Sequence, residues 1–210
     1  MIHFVGAGPG APDLITVRGK QYLEEADVII YAGSLVNPQL LEYSKDVCTI
    51  YNSAKMTLEE VISVMEKAEK EGKTTVRLHT GDPCIYGAIR EQMDILDEKG
   101  IAYDSCPGVS SFCGAASALN LEYTLPRDFS ERDHYKDGRK NSGSRPKESI
   151  QSFAAHQASM VIFLSTGMLE ELSRRLIEGG YREDTPAAIA IRQPGRTKRI
   201  YLYRGNSGKN

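Results

Sequence analysis

The chain has 210 residues, with 26 Lys and Arg against 28 Asp and Glu, a net charge of −2 and 40% hydrophobic residues. This is ordinary globular composition, and its slight acidic balance gives neither nucleic acid nor an anionic membrane a reason to be the main partner. No apolar run approaches the roughly 20 residues that span a bilayer, and no signal-peptide pattern precedes the first strand, so a cytoplasmic protein of one large or two small domains is expected.

A short apolar strand at 2–5 leads into Gly6-Ala7-Gly8-Pro9-Gly10-Ala11-Pro12-Asp13, an irregular loop with exposed amides. Its glycine pattern resembles a dinucleotide fingerprint. Yet Pro9 and Pro12 remove amides that a pyrophosphate would use, and the next strand, Val28–Tyr31, ends in Ala32-Gly33 where a ribose needs an acid. NAD is rejected on that ground. A helix is expected over 14–26 and a strand over 46–51. Thr57-Leu58-Glu59-Glu60 is a capping box, and Leu58, Val61, Ile62, Met65 and Ala68 recur at helical spacing after it.

The strand through Thr74, Thr75, Val76 and Leu78 stops sharply at Gly81-Asp82-Pro83. A helix is expected to restart near Gly87 and end at Gly100. Such a corner sets backbone amides and one carboxylate at the carboxyl edge of a sheet, where open α/β sheets bind ligands; taken alone it is an ordinary capped turn. A strand at 101–105 and Pro107-Gly108-Val109-Ser110-Ser111 follow, opening a small-residue helix up to Leu119. The βαβα alternation predicts an α/β fold with a mostly parallel sheet.

From 127 to 148 there is no Ala, Val, Ile, Leu or Met, too little apolar surface for the segment to order itself. A helix over 150–156, a strand over 160–164, a helix over 169–178 ending at Gly179-Gly180 and the strand Ala187–Ile191 come next. The tail is basic, and only 200–203 could be a strand. The organisation is therefore a domain over 1–124, a linker over 125–148 and an unfinished α/β domain over 149–210. Cys48, Cys84, Cys106 and Cys113 form no C-x-x-C pair and lie in no metal-ligand spacing with His, so reduced thiols and no metal site are expected.

The runs V-G-A-G-P-G-A-P-D-L-I-T-V-R-G (5–19), Y-A-G-S-L-V (31–36), L-H-T-G-D-P-C-I-Y-G (78–87) and P-G-V-S-S (107–111) carry a resemblance. The chain resembles the tetrapyrrole (uroporphyrinogen/precorrin-type) methyltransferases, and within them the precorrin-4 and cobalt-precorrin-4 C11-methyltransferases of cobalamin biosynthesis. The resemblance covers 1–126, resumes over 147–190 and fails elsewhere. It implies two α/β domains with S-adenosylmethionine in the cleft between them, a small-molecule tetrapyrrole substrate and a homodimer. By motif, it implies that Pro9 flanks the cofactor, that Thr80, Gly81 and Asp82 hold its methionine and ribose portion, and that Ile85 packs beside it. Ser110 and Ser111 occupy the small pair that contacts the cofactor in relatives, and Ser165 the contact from the second domain.

The implied chemistry is direct methyl transfer to a carbon nucleophile, for which alignment and water exclusion suffice. No catalytic residue is assigned. Tyr86 either faces the ligand or packs, His79 is expected to make a structural hydrogen bond, and Cys84 and Cys113 to fill small core sites. Other readings are a methylase of the same superfamily acting on another corrin carbon, a diphthamide precursor or an RNA ribose, and a cofactor-binding protein without turnover.

Family members carry a linker strand similar to V-I-I-T-R-M-E-G-R-T-P-V-P and a later segment similar to Y-K-A-T-W-P-D-E, and neither stands here. Degenerate codons for 132–145 read one base later permit the first in order. Those for 190–198 read one base earlier permit the second. On this reading 127–146 and 191–210 are frame-shifted relative to an ancestral or true gene, in the molecule or only in its sequence as determined. The shift would replace a cofactor-facing residue by Gln193 and leave both stretches irregular or poorly packed.

Overall fold

The computed structural model describes residues 1–124, 149–163 and 167–191, together with the backbone of 133–136 and 199–203. The chain divides into two compact units, Met1–Ser117 and Ala118–Asn210.

The first unit is built on five parallel strands: β1 (Ile2–Gly6), β2 (Val28–Tyr31), β3 (Thr49–Asn52), β4 (Thr75–His79) and β5 (Tyr103–Cys106), in the order β3-β2-β4-β1-β5. The chain moves outward from β1 to β2 and β3, returns to insert β4 beside β1, then crosses to β5 on β1's other side. The strand order therefore reverses around β1, and the crevice outside the carboxyl ends of β4, β1 and β5 is the place such a sheet offers to a ligand.

Side-chain alternation along the strands feeds two cores, one per face. Val5, Ile29, Val76 and Leu78 pack with Leu23 of α1 (Val17–Glu25) and with Leu40 on one face. Ile2, Phe4, Val28 and Ile30 pack on the other with Val61, Ile62 and Met65 of α2 (Leu58–Lys70) and Leu96 of α3 (Arg90–Glu98). Most of these side chains are wholly buried, each worth about 1.5–3 kcal/mol of apolar transfer. The capping box at Thr57 forms as expected, with Thr57 Oγ1 accepting from the Glu60 amide and Glu60 Oε2 from the Thr57 amide.

Several boundaries differ from expectation for local reasons. α1 starts at Val17 rather than Leu14 because the Thr16 hydroxyl accepts from the Gly19 amide at 3.0 Å and caps the helix there; Pro12–Leu14 is a separate 3-10 turn. α3 starts at Arg90 because Tyr86 and Ala88 sit at φ 56° and 51°, left-handed values no α-helix contains. β3 and β5 begin two or more residues later than their hydrophobic runs. α4 (Ser111–Leu119) is the small-residue helix, as expected.

In the second unit, α5 (Ile150–Ala154) crosses α6 (Leu169–Gly179) closely: a Cβ on Gly179 would lie 2.5 Å from Ala154 Cβ. β6 (Asp133–Lys136) pairs in parallel with β7 (Met160–Phe163), and β8 (Ala187–Ile191) pairs antiparallel with β9 (Arg199–Tyr203). β6 corrects the expectation that no part of 127–148 orders itself. Backbone pairing with a neighbouring strand satisfies N–H and C=O groups without requiring apolar side chains. The remainder of that stretch, and 192–198 and 204–210, lie outside the described residues.

Candidate functional site

Three loops leave the carboxyl edge of the first unit's sheet and meet by their main chains. Gly8 and Gly81 form an isolated antiparallel bridge, the Gly81 amide donating to Gly8 O at 2.9 Å and the Gly8 amide to Gly81 O at 3.2 Å. The Ala7 amide donates to His79 O at 2.7 Å. Gly108, from the loop after β5, seals the other side: a Cβ there would lie 2.1 Å from Gly81 O and 2.7 Å from Gly6 Cα. Only glycine fits at Gly108, and Gly81, at φ 62°, holds a conformation that L residues resist.

Asp82 fastens this junction with its side chain. Oδ1 accepts from the Cys84 amide at 2.8 Å, and Oδ2 from the Gly108 amide at 3.1 Å. One carboxylate thus shapes its own turn and ties it to the Pro107–Ser111 loop. The geometry collects five of the expected residues. Pro9 follows the bridge residue Gly8, Gly81 and Asp82 form the corner, and a Cβ on Gly81 would be 3.7 Å from both Ser110 Cα and the Ser111 amide. Ser110 is buried, and Ser111 is exposed at the start of α4. Thr80 and Ile85 are half-buried beside them, the Ile85 amide donating to Asp82 O at 3.1 Å. Ser165 and Gln193 lie outside the described residues.

Three expectations about neighbouring side chains are corrected. Cys84 and Cys113 are exposed and do not fill core sites; the turn that Asp82 closes and the outer side of α4 present them to solvent. The Asp82 carboxylate beside it, with some burial, pushes the Cys84 thiol up, so it is not a thiolate nucleophile. His79 Nε2 is buried with no hydrogen-bond partner among the described residues. The ring lies over Phe4 instead, with centroids 6.3 Å apart. Burial, reinforced by the Arg77 charge, lowers the His79 pKa to about 3, which keeps the imidazole neutral. Tyr86, at 46% exposure, is presented rather than packed.

One contributor was not foreseen. Asn37 donates from Nδ2 to Gly10 O at 2.7 Å while its Oδ1 accepts from the Gln39 amide at 3.1 Å, so it steadies the glycine loop from the next strand's connection. Asn37-Pro38 is a residue pair that favours turns, but nothing in the sequence ties it to the loop.

A sheet edge of interlocked glycine loops, a carboxylate with lone pairs to spare and two serine hydroxyls is the arrangement that the sequence motifs point to, and the family comparison decides it. Residues 1–206 match the family model described as Tetrapyrrole (Corrin/Porphyrin) Methylases. The chain belongs to the tetrapyrrole methylase family. Among its relatives in that family, the cobalt-precorrin-4 C(11)-methyltransferase of Methanocaldococcus jannaschii is 54% identical over 188 residues, covering 90% of this chain and 72% of the relative. The enzyme of the same name from Priestia megaterium is 38% identical over 191 residues, 91% of this chain and 74% of its own. The tetrapyrrole methylase fold is matched by the X-ray structure of cobalt precorrin-4 methyltransferase, CbiF, a cobalamin biosynthetic enzyme. There the TM-score is 0.90 at 35% identity, over 97% of this chain and 84% of that one. The uroporphyrin-III C-methyltransferase of Thermus thermophilus, complexed with S-adenosyl homocysteine, shares the fold at a TM-score of 0.78 and 23% identity, over 97% and 87% of the two chains.

Proposed function

We propose that this chain transfers a methyl group from S-adenosylmethionine to C11 of precorrin-4 or cobalt-precorrin-4, a step of cobalamin biosynthesis. The observation that carries the reading is the 54% identity to an enzyme of that name over 90% of this chain. The donor set at the sheet edge fits the cofactor. Asp82 keeps acceptor capacity for ribose hydroxyls or an amine, Ser110 and Ser111 bring hydroxyls, and Ile85 offers an apolar wall. Pro9, Thr80 and Gly81 complete the set. S-adenosylmethionine supplies an electrophilic methyl on its sulfonium when bound. The residues of this chain orient that group, hold the acceptor carbon in line with it and exclude water, which is enough when donor and acceptor are both reactive.

The test supplies purified protein with S-adenosylmethionine carrying a labelled methyl and with precorrin-4, with and without cobalt. A mass gain of one methyl, placed at C11 by NMR, is expected; folded protein that binds the cofactor and methylates neither substrate overturns the reading. The comparison of the two substrates also fixes whether cobalt belongs to it. A homodimer in the cytoplasm completes the proposal, checked by sedimentation at micromolar concentration.

A further inference from the structure

On the face of the sheet covered by α2 and α3, the cation Arg77 has no acidic partner among the described residues. Arg77 of β4 is 6% exposed. Its Nε donates to Gln92 Oε1 at 3.0 Å and its Nη1 to Ile30 O at 3.1 Å. Gln92 is itself anchored, its Nε2 donating to Ala88 O at 3.0 Å. Both acceptors of Arg77 are neutral, and Nη2 makes no hydrogen bond among the described residues. Burial alone draws the guanidinium's pKa down to about 10, still well above neutrality; a carboxylate in contact would push the other way. A buried charge lacking a counter-ion is costly, and proteins rarely leave one without purpose.

The guanidinium lines a cavity of about 160 Å³, bounded also by Gln92, Ser53, Thr57, Leu58 and Val61. This is a hollow open to solvent with room for a small oxyanion. The amino end of α2 forms part of the wall. Its capping box closes on the Thr57 and Glu60 amides, leaving the Leu58 amide with no intrahelical acceptor and the positive end of the helix dipole at the cavity. The Glu60 carboxylate on the Thr57 amide offsets that helix end, so the positive charge at this space is that of Arg77.

We propose that the cavity is an anion site whose ligand is a carboxylate or comparably small oxyanion, held by the unspent Nη2 of Arg77. The anion comes either from solution or from an acidic side arm of a larger ligand. The second source rests on the proposed tetrapyrrole chemistry, and the first does not.

The experiment uses the full chain and titrates sodium acetate and sodium phosphate by calorimetry and thermal melting. Ionic strength is held constant with a sulfonate too bulky for the cavity, and acetamide serves as the neutral control. Saturable binding with a plateau in Tm is expected for the anions and not for acetamide, weakened at least tenfold in Arg77→Met. Should Arg77→Met fail to fold, Leu58→Glu supplies a carboxylate at the cavity wall. That variant is expected to melt higher in anion-free buffer and to lose its response to acetate. Wild-type protein with no saturable response to either anion, or a variant that keeps the full response, overturns the proposal. Uroporphyrin III, a tetrapyrrole rimmed with carboxylates, identifies the source by fluorescence titration. If acetate competes with it and Arg77→Met weakens its binding tenfold, the anion is a ligand side arm; if acetate binds without competing, the anion is free. Both outcomes uphold the site. Loss of the methyl-transfer reading would leave the acetate titration untouched.

Discussion

Each oxygen of the Asp82 carboxylate serves a main-chain amide, one in its own turn and one in the loop after β5. Asp82→Ala leaves both amides without acceptors, and hydrogen bonds to a charged group are worth about 1.5–3 kcal/mol. We expect a loss of that order in unfolding free energy together with weaker binding of S-adenosyl homocysteine by calorimetry, and Asp82→Asn, which keeps one acceptor oxygen, should recover part of both. Unchanged melting and affinity in the alanine variant would remove Asp82 from the site. His79 belongs to the same scale. Its pKa falls from 6.5 in the unfolded chain to about 3 in the fold, so between those values the unfolded state binds the extra proton. Stability is therefore full above pH 6.5 and drains as pH falls towards 3, with a limiting slope of about 1.4 kcal/mol per pH unit from this one group. His79→Phe should flatten that part of the denaturant-measured stability curve.

At the level of elements, the glycine contacts make a sharp comparison possible. Gly108→Ala drives a Cβ to within 2.1 Å of the Gly81 carbonyl oxygen, a main-chain atom that cannot rotate away. We expect a loss of about 2–4 kcal/mol, at or above the usual range for overpacking, with cofactor binding lost alongside. Gly72, by contrast, has positive φ, 68°, and nothing lies within 4 Å of its added Cβ, so Gly72→Ala should cost only about 1 kcal/mol of backbone strain. Equal melting of the two variants would mean that the junction is not tightly packed. The same elements show how far the sequence could be read. Strands and helices announced themselves by hydrophobic period, and the Gly81-Asp82-Pro83 corner by its residue types. That Gly6, Gly81 and Gly108 touch, or that Ala88 adopts φ 51° and delays α3, depends on parts of the chain far apart in sequence or on a conformation that alanine does not signal. Arg77 escaped notice for a related reason: a charge inside a central strand reads as noise until the cavity beside it is seen.

For the whole molecule, the open question is the stretch from 127 to 146 and the tail beyond 191. The backbone of β6 and β9 runs against an entirely irregular course there, and the rest of both stretches lies outside the described residues. We propose that the frame of the coding sequence shifts at both places. Nucleotide sequencing and intact mass decide it: a protein at 23.2 kDa carries the residues as they stand, and a different mass, matching the family-like linker and tail, shows the shift to be absent from the molecule. If it is present in the molecule, methylation should fall severely while the first unit still folds and melts cooperatively; full turnover at 23.2 kDa would contradict that. The three loops of the first unit meet on a common floor. Their floor is main chain against main chain at Gly6, Gly81 and Gly108, so its shape is written in dihedral angles and not in side chains. Positions around the rim, Tyr86 and Cys84 among them, can then be exchanged to admit a different acceptor without reshaping the floor. An architecture of this kind lets new substrate preferences arise by small steps, none of which has to rebuild the place where they begin.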